Sequence, residues 1–160
     1  ERLGTGPSEI EERLDAMQAE LERLRRQGEQ LQRLQGAAVA EGLIEGARRE
    51  GDAFLVVARV DATSSDVLRD VADRVRSRLT PSLILLAASI DGRPAFLAAA
   101  TPDLVERGVH AGNLIREVAK VAGGGGGGRA DLAQAGAKDA SKIDAALAEG
   151  LRLAHTALTG

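Results

Sequence analysis

The six consecutive glycines at positions 123–128 constrain this chain more than any other stretch of its sequence. Glycine loses more backbone freedom on folding than any other residue, so an ordered glycine run needs a specific reason. One reason is a requirement for positive φ angles or for the close approach of another backbone or a ligand. The alternative is a flexible linker, for which glycine-rich segments are well suited. The residues that follow argue against a linker, because they continue the fold into a helical pattern.

Composition limits the class of protein further. A chain of 160 residues suffices for one domain with a core, or for a small domain with a helical arm. Phe54 and Phe96 are its two aromatic residues, so the core is predicted to consist of Ala, Val, Leu and Ile. The absence of cysteine excludes disulfides and thiolate metal sites, which fits a reducing, cytoplasmic location. No apolar run reaches the roughly 20 residues of a membrane helix. Because the chain begins with Glu1 rather than methionine, we expect a fragment of a longer polypeptide.

The N-terminal part of the chain has the pattern of an amphipathic helix. Apolar residues recur there at alternating steps of four and three, at Ile10, Leu14, Met17, Leu21 and Leu24. Leu31 continues this seam after Gly28, and helix is predicted as far as Gly51. One interpretation is an arm that packs on its own domain or on a neighbouring one. The other is a self-associating coiled coil, for which three heptads are barely enough; its candidate oligomerisation residues are Leu14, Met17, Leu21 and Leu24.

The rest of the chain predicts a mixed sheet with helices. Residues 54–60 and 83–90 have the apolar, β-branched character of buried strands, and a helical pattern lies between them. Strand, helix and strand in this order indicate a right-handed parallel crossover. The Asp91-Gly92 turn predicts a hairpin to a third strand at residues 95–100. Helices are further predicted at 113–121 and from Asp139 onward, with an extended edge at 132–135.

The predicted fold class is therefore α/β, of the α+β type. A long N-terminal amphipathic helical arm, residues 1–51, is followed by a globular domain, residues 52–160. This domain is expected to contain a mixed β-sheet flanked by helices and a glycine-rich loop.

Several kinds of catalytic or cofactor site are not supported by the sequence. The glycine run lacks the Gly-x-x-x-x-Gly-Lys-Ser/Thr pattern of a P-loop. It follows a predicted helix, whereas a dinucleotide fingerprint follows a strand. His110 and His155 are far apart in sequence and are interpreted as surface histidines, because nothing spaces them for zinc. We expect no cofactor in these 160 residues.

The stretch Gly-Gly-Gly-Arg129-Ala130-Asp131-Leu132-Ala133-Gln134-Ala135-Gly136 closely resembles a glycine-rich signature near the C-terminus of alanyl-tRNA synthetases. The signature belongs to their DHH-associated domain, and the resemblance extends over roughly residues 52–158. Ala130 stands where that family usually has proline, and Ala137 stands where a second glycine is usual.

The resemblance implies a role on tRNA without catalysis in this fragment. In the family, the aminoacylation and editing domains precede this one, so ATP and zinc would belong upstream. The C-terminal domain grips the outer corner, or elbow, of the L-shaped tRNA-Ala and helps to couple aminoacylation with editing. The implied partners are tRNA-Ala, the upstream domains of the same chain and a second copy in a homodimer, with no membrane. The alternative function is a dimerisation module with minor RNA contacts.

The whole chain carries a net charge of −3, and this negative charge argues against indiscriminate nucleic-acid binding. Basic residues nevertheless surround the glycine run. Backbone amides of ordered glycines and nearby Lys or Arg side chains can contact phosphates. The alternative interpretation of each of these Lys and Arg residues is an ordinary solvated surface charge. Asp131 and Gln134 are predicted to have structural roles. The candidate nucleic-acid-binding residues are Arg129, Lys138, Lys142, Arg116 and Lys120, with Gly125, Gly126, Gly127 and Gly128.

A phosphoesterase is the competing enzyme hypothesis, because DHH-associated domains also occur in that class. There a histidine commonly follows the glycines, whereas Arg129 occupies this place here and no Asp-His-His segment is present. Arginine can hold a phosphate bidentately but is a poor proton shuttle at neutral pH. The sequence therefore favours binding over hydrolysis.

Overall fold

The computed structural model describes residues 6–160, within which the chain forms five α-helices and one six-stranded sheet. The chain divides into two units, one ending at Gln35 and the other comprising Gly36–Gly160. The first five residues of the predicted arm lie outside the described residues. The predicted class, a long helix followed by a mixed sheet with flanking helices, is confirmed.

Helix α1, Pro7–Glu45, contains the predicted apolar seam. The prediction of helix as far as Gly51 is wrong, because Arg48–Glu50 form a short strand, β1. β1 pairs antiparallel with β2, Ala53–Arg59, through a two-residue connection at Gly51 and Asp52. Gly51 has a φ of 67°, which glycine adopts without steric cost, so a turn replaces the last helical turn.

The first half of the sheet follows the sequence pattern. Helix α2, Ser65–Arg78, links β2 to the parallel strand β3, Ser82–Ile90. β3 turns at Asp91 and Gly92, both with positive φ, into the antiparallel strand β4, Arg93–Ala100. The predicted parallel pairing of the two strands across the helix is confirmed, and so is the predicted hairpin.

The second half of the sheet corrects two predictions. After the helices α3, Pro102–Glu106, and α4, Ala111–Val121, the glycine run forms strand β5, Gly125–Gly128, rather than a loop. Strand β6, Leu132–Gly136, lies between β4 and β5 in the order β1-β2-β3-β4-β6-β5, so it is interior and the glycines form the edge. The cause is backbone pairing, since β6 pairs with β4 on one side and with Gly125–Gly128 on the other.

Helices cover both faces of the sheet in the unit Gly36–Gly160. α2 and the end of α1 pack on one face, around Val71, Ile84 and Leu86. α4 and the last helix, α5, Ile143–Thr159, pack on the other, around Leu85 and Ile115. Phe96 is fully buried, and aliphatic side chains fill most of the remaining core, as predicted.

Candidate nucleic-acid interface

Strand β5 lies against α4 through contacts that only glycine permits. The Gly112 amide at the start of α4 donates to the Arg129 carbonyl at 3.0 Å, and a Cβ at Gly112 would collide with the Gly128 carbonyl. At the other end, the Gly124 amide donates to the Ala119 carbonyl at 2.9 Å, and a Cβ at Gly124 would overlap the Gly136 carbonyl. Glycine at position 112 therefore permits the close approach of β5 to α4, and glycine at position 124 permits the close approach of the chain to the end of β6.

The glycines within β5 fall into two groups. A Cβ built on Gly126 would lie 2.5 Å from the Ala135 Cβ, and one built on Gly128 would lie 2.7 Å from the Ala133 Cα. These two glycines are required for packing on β6. A Cβ on Gly125 would meet no atom of residues 6–160 within 4 Å, and one on Gly127 would meet only the Arg116 guanidinium, at 3.6 Å. Packing among residues 6–160 therefore does not explain why positions 125 and 127 are glycine.

Four of the five predicted basic residues lie along α4 and β5. Arg116 and Lys120 are on the exposed side of α4, and Arg129 follows β5 beside the start of that helix. Lys138 lies at the opposite end, where its amide donates to the Ala122 carbonyl at 3.2 Å. Since an 11-residue helix is about 16 Å long, the positive charges are spread along an elongated surface. Lys142 lies farther along the chain, in the 3-10 turn before α5.

Neighbouring carboxylates form ion pairs with some of these Arg and Lys side chains and not with others. Arg129 pairs with Asp131 at 3.2 Å, and Lys120 pairs with Glu117 at 2.8 Å. Arg116 reaches the Asn113 side-chain oxygen at 3.4 Å. In the part of the chain that the structure describes, Arg116, Lys138 and Lys142 form no ion pair. These three side chains carry the positive charge most available to an anion.

Asp139 separates Lys138 from Lys142. Its carboxylate accepts hydrogen bonds from the Ser141 hydroxyl at 2.5 Å and from the Ser141 amide at 3.0 Å. The hydroxyl bond first, then the amide bond and the charge of Lys142, lower the pKa of Asp139 below its ordinary value. The carboxylate is therefore held in its ionised form, and it caps the turn that leads into α5.

The residues predicted to be structural have different roles. The Asp131 carboxylate pairs with Arg129, and the Asp131 carbonyl accepts the Ala100 amide at 2.9 Å. Gln134 is exposed and contributes its backbone to β6. Sequence reasoning missed Gly112, although a glycine in the first turn of a helix just before a glycine run is a detectable signal of close backbone contact.

Both histidines have ordinary structural roles, as predicted. The His110 Nδ1 accepts the Asn113 amide at 3.1 Å and so caps α4. The His155 Nδ1 lies 2.8 Å from a Glu50 carboxylate oxygen, joining α5 to β1. Among residues 6–160 no cluster of His, Asp or Glu is arranged to hold a metal ion.

The apolar seam of α1 is exposed to solvent within the unit that ends at Gln35. Leu14 is 53% exposed, Met17 62%, Leu21 65% and Leu24 51%. Ile10, Leu31 and Leu34 are exposed to a similar degree. A row of large apolar side chains at this exposure is typical of an interaction surface rather than of an isolated soluble helix.

Comparison with known proteins agrees with this fold. Residues 52–155 match the DHHA1 domain, which is about two thirds of the chain. The chain therefore belongs to the DHHA1 domain family.

Within that family the similarity is to alanyl-tRNA synthetases. The chain is 42% identical over 149 residues to the alanine–tRNA ligase of Herpetosiphon aurantiacus, covering 93% of this chain and 17% of that protein. It is 43% identical over 147 residues to the enzyme of Geobacillus thermodenitrificans, covering 92% and 17% respectively. The chain thus spans about one sixth of the length of these relatives. The crystal structure of the C-Ala domain from Aquifex aeolicus alanyl-tRNA synthetase matches at a TM-score of 0.60 and 32% identity, covering 71% of this chain and 98% of that domain.

The described residues contain no helix that is both long enough and apolar enough to cross a membrane.

Proposed function

We propose that this chain is a non-catalytic tRNA-binding domain that contacts the outer corner of tRNA-Ala. Its binding surface, here called the glycine-strand surface, consists of Gly125, Gly127, Arg116, Lys120, Arg129 and Lys138. Through this contact the domain holds one tRNA for the aminoacylation and editing domains of a longer chain, which acts in the cytoplasm. Its partners are tRNA-Ala and those upstream domains.

The observation that carries this proposal is the open outer side of β5. Gly125 and Gly127 have room for a side chain and carry none, so a ligand can approach the strand backbone there. The Arg116 guanidinium lies beside Gly127 and has no carboxylate partner within the described residues. Arginine binds phosphate in bidentate geometry, and glycine backbone amides add further donors.

The chemistry of this surface suits recognition of RNA by shape. Nucleic-acid bases stack mainly on aromatic side chains and also on arginine guanidinium planes. The chain has two phenylalanines, of which Phe96 is buried and Phe54 lies under Arg49 at 5.0 Å, so its capacity for stacking is small. Phosphate and sugar contacts therefore dominate, and such contacts depend strongly on salt.

A salt titration of binding to tRNA-Ala, beside a minihelix that lacks the elbow, tests this proposal. We expect tight, salt-sensitive binding to the full tRNA alone. Replacing Arg116 and Lys138 together by alanine should weaken binding and reduce the slope of log K against log salt by about 1 to 2, since each phosphate contact contributes roughly 0.7–0.9. Arg129→Ala should have a smaller effect, because Asp131 already pairs with this side chain.

Arg69→Ala provides a matched control. Arg69 is an exposed arginine on α2, which packs on the opposite face of the sheet. If Arg69→Ala and the double variant reduce affinity and slope equally, the glycine-strand surface is not the binding site. Equal binding of the minihelix and the full tRNA would contradict recognition of the elbow.

A second candidate function is self-association through α1. The exposed seam of Leu14, Met17, Leu21 and Leu24 favours it, since burial of such side chains is worth about 1.5–3 kcal/mol each. In this role the chain is a dimerisation module with minor RNA contacts. Sedimentation of the chain and of Leu21→Glu tests it, because a dimer that depends on the seam must dissociate in the variant. Sedimentation of the unmodified chain as a monomer would exclude this function.

A further inference from the structure

We infer that the open edge of strand β2 binds an extended peptide segment of a partner protein as an additional strand of the sheet. This edge lies on the opposite side of the sheet from β5, so the inference goes beyond the proposed contact with tRNA. The bound segment carries apolar residues at alternate positions and an acidic residue at one end.

Strand β1 covers only the first part of β2. It pairs with residues 53–55, whereas β2 continues to Arg59. The other neighbour of β2 is β3, which lies on its inner side. Beyond residue 55, the outer edge of β2 therefore has no partner strand in the part of the chain that the structure describes.

The hydrogen bonds to β3 show which backbone groups lie at this open edge. The Val60 amide donates to the Ala87 carbonyl at 2.8 Å, so residue 60 directs its backbone groups toward β3. Successive residues of a strand direct these groups to opposite sides. Val57 and Arg59 therefore direct their N–H and C=O groups outward, where no strand of residues 6–160 pairs with them. An unpaired row of this kind is a template for another strand.

A groove runs along the same edge. Its lining includes the consecutive residues 55–58 of β2, Gly42 and Gly46 at the end of α1, and Leu151 of α5. The end of α1 packs on one face of the sheet and α5 on the other. Because successive side chains of a strand alternate between the two faces, a groove that reaches both faces lies at the edge.

Gly42 and Gly46 keep this groove open. A Cβ built on Gly42 would meet no atom of residues 6–160 within 4 Å, and one built on Gly46 would meet only the Gly42 carbonyl, at 3.4 Å. Glycine inside a helix costs about 1 kcal/mol relative to alanine, and packing among the described residues does not require it at position 42. Close approach of another backbone provides a reason for glycine here, since an added strand would lie only about 4.8 Å from β2.

The chemistry of the lining defines the class of peptide. Arg48 is the one charged residue among the described residues that line the groove, and the others are apolar or glycine. Arg48 is exposed and forms no ion pair within residues 6–160, while the nearby Glu50 carboxylate pairs with His155 at 2.8 Å. A carboxylate on the bound strand complements Arg48, and apolar side chains at alternate positions fit the rest of the groove.

A titration followed by NMR tests strand addition directly. The probe is a short peptide of alternating threonine and valine that ends in glutamate, with both termini blocked, added to the isotopically labelled full chain. We expect the amide signals of Val57 and Arg59 to shift and those of β5 to stay in place. N-methylation at successive residues of the peptide should abolish and preserve binding in alternation, because only every second residue directs its N–H group at the neighbouring strand.

Variants of the groove test its occupation independently. Gly42→Leu should weaken peptide binding about tenfold or more, because leucine favours the helix but fills the groove. Ala38→Leu is the matched control, at an exposed position of α1 one turn earlier that does not line the groove. Arg48→Glu should weaken binding roughly two- to tenfold, and a peptide that ends in lysine instead of glutamate should restore it.

Each outcome supports or overturns the inference. Shifts at Val57 and Arg59 that alternate with N-methylation and disappear in Gly42→Leu support it. No shift at millimolar peptide overturns it, as do equal effects of Gly42→Leu and Ala38→Leu. If the same signals shift on raising the concentration of the chain alone, or on adding tRNA-Ala, the edge belongs to a second copy or to RNA, and the assignment to a peptide is wrong. Gly42→Leu should leave tRNA binding unchanged, so failure of this inference and failure of the proposed function are distinguishable.

Discussion

At the scale of single residues, Gly126 and Gly127 are neighbours in one strand, but only position 126 lacks room for a side chain. A Cβ at Gly126 would press on Ala135, whereas one at Gly127 has ordinary contact distance to Arg116. We predict that Gly126→Ala destabilises the fold by about 1–3 kcal/mol, as overpacking does, and that Gly127→Ala leaves the unfolding midpoint unchanged. Urea unfolding of the two variants measures this difference.

The same pair separates folding from binding. If the backbone of β5 contacts RNA, Gly127→Ala should weaken tRNA binding without loss of stability, because its methyl group stands where the ligand approaches. Unchanged affinity in a stable Gly127→Ala variant would show that the ligand does not come close to this strand.

Asp139 links the fold to pH. The Ser141 hydroxyl and amide lower the pKa of its carboxyl in the folded chain, so ionised Asp139 stabilises the fold above the ordinary aspartate pKa of about 3.9. This contribution is lost as pH falls through the lowered value. Asp139→Asn should therefore lose less stability than the unmodified chain between pH 7 and pH 3, as measured by urea unfolding. Asp61→Asn, at an exposed loop position without a hydrogen bond in the described part of the chain, should behave like the unmodified chain.

At the scale of helices and strands, close packing makes one glycine essential and leaves another replaceable. Gly150 of α5 lies against Leu85 and Val118, and a Cβ there would collide with the Leu85 side chain. Gly42 of α1 faces open space within residues 6–160. Gly150→Ala should therefore lower the free energy of unfolding by about 1–3 kcal/mol, because of overpacking. Gly42→Ala should raise it by at most about 1 kcal/mol, because alanine favours the helix more than glycine does. Thermal unfolding of both variants tests this; equal effects would contradict the packing of α5 on β3.

The elements between residues 53 and 100 could be predicted because their side chains have a clear period. Val67, Val71 and Val75 mark one face of α2, and the apolar runs mark β2 and β3. β1 could not be predicted, since Arg48–Glu50 have no apolar pattern and pair only because Gly51 turns the chain. Strand β5 has no side chains to form a period, so its state depends on backbone pairing with β6.

The sequence predicted the candidate site as a cluster of Arg and Lys residues, but it did not predict which glycines pack against other parts of the chain. Sequence places Arg116, Lys120, Arg129 and Lys138 near the glycines, and the structure brings these four to α4 and β5. Which glycines serve packing depends on contacts with residues nine or more positions away, such as Gly126 with Ala135 and Gly112 with Gly128. Sequence spacing alone contains no information on these approaches.

At the scale of the whole molecule, the two proposed activities belong to different units. The glycine-strand surface lies in Gly36–Gly160, and the seam lies in the unit that ends at Gln35. We predict that a chain of residues 36–160 folds cooperatively, because the packed faces of the sheet are contained within it. It should bind tRNA and sediment as a monomer. Loss of tRNA affinity in this shorter, folded chain would assign a binding role to the arm as well.

The absence of side chains from β5 also determines how this strand moves. Its four residues are held by backbone hydrogen bonds and by close contact, with no apolar side chain buried along them. β3, by contrast, has seven consecutive buried residues. Local opening is easiest where few apolar contacts are lost, so the amide protons of β5 should exchange with deuterated solvent long before those of β3. Bound RNA should slow the exchange of β5 selectively, because occupation of the proposed interface would make local opening of this already formed strand less frequent.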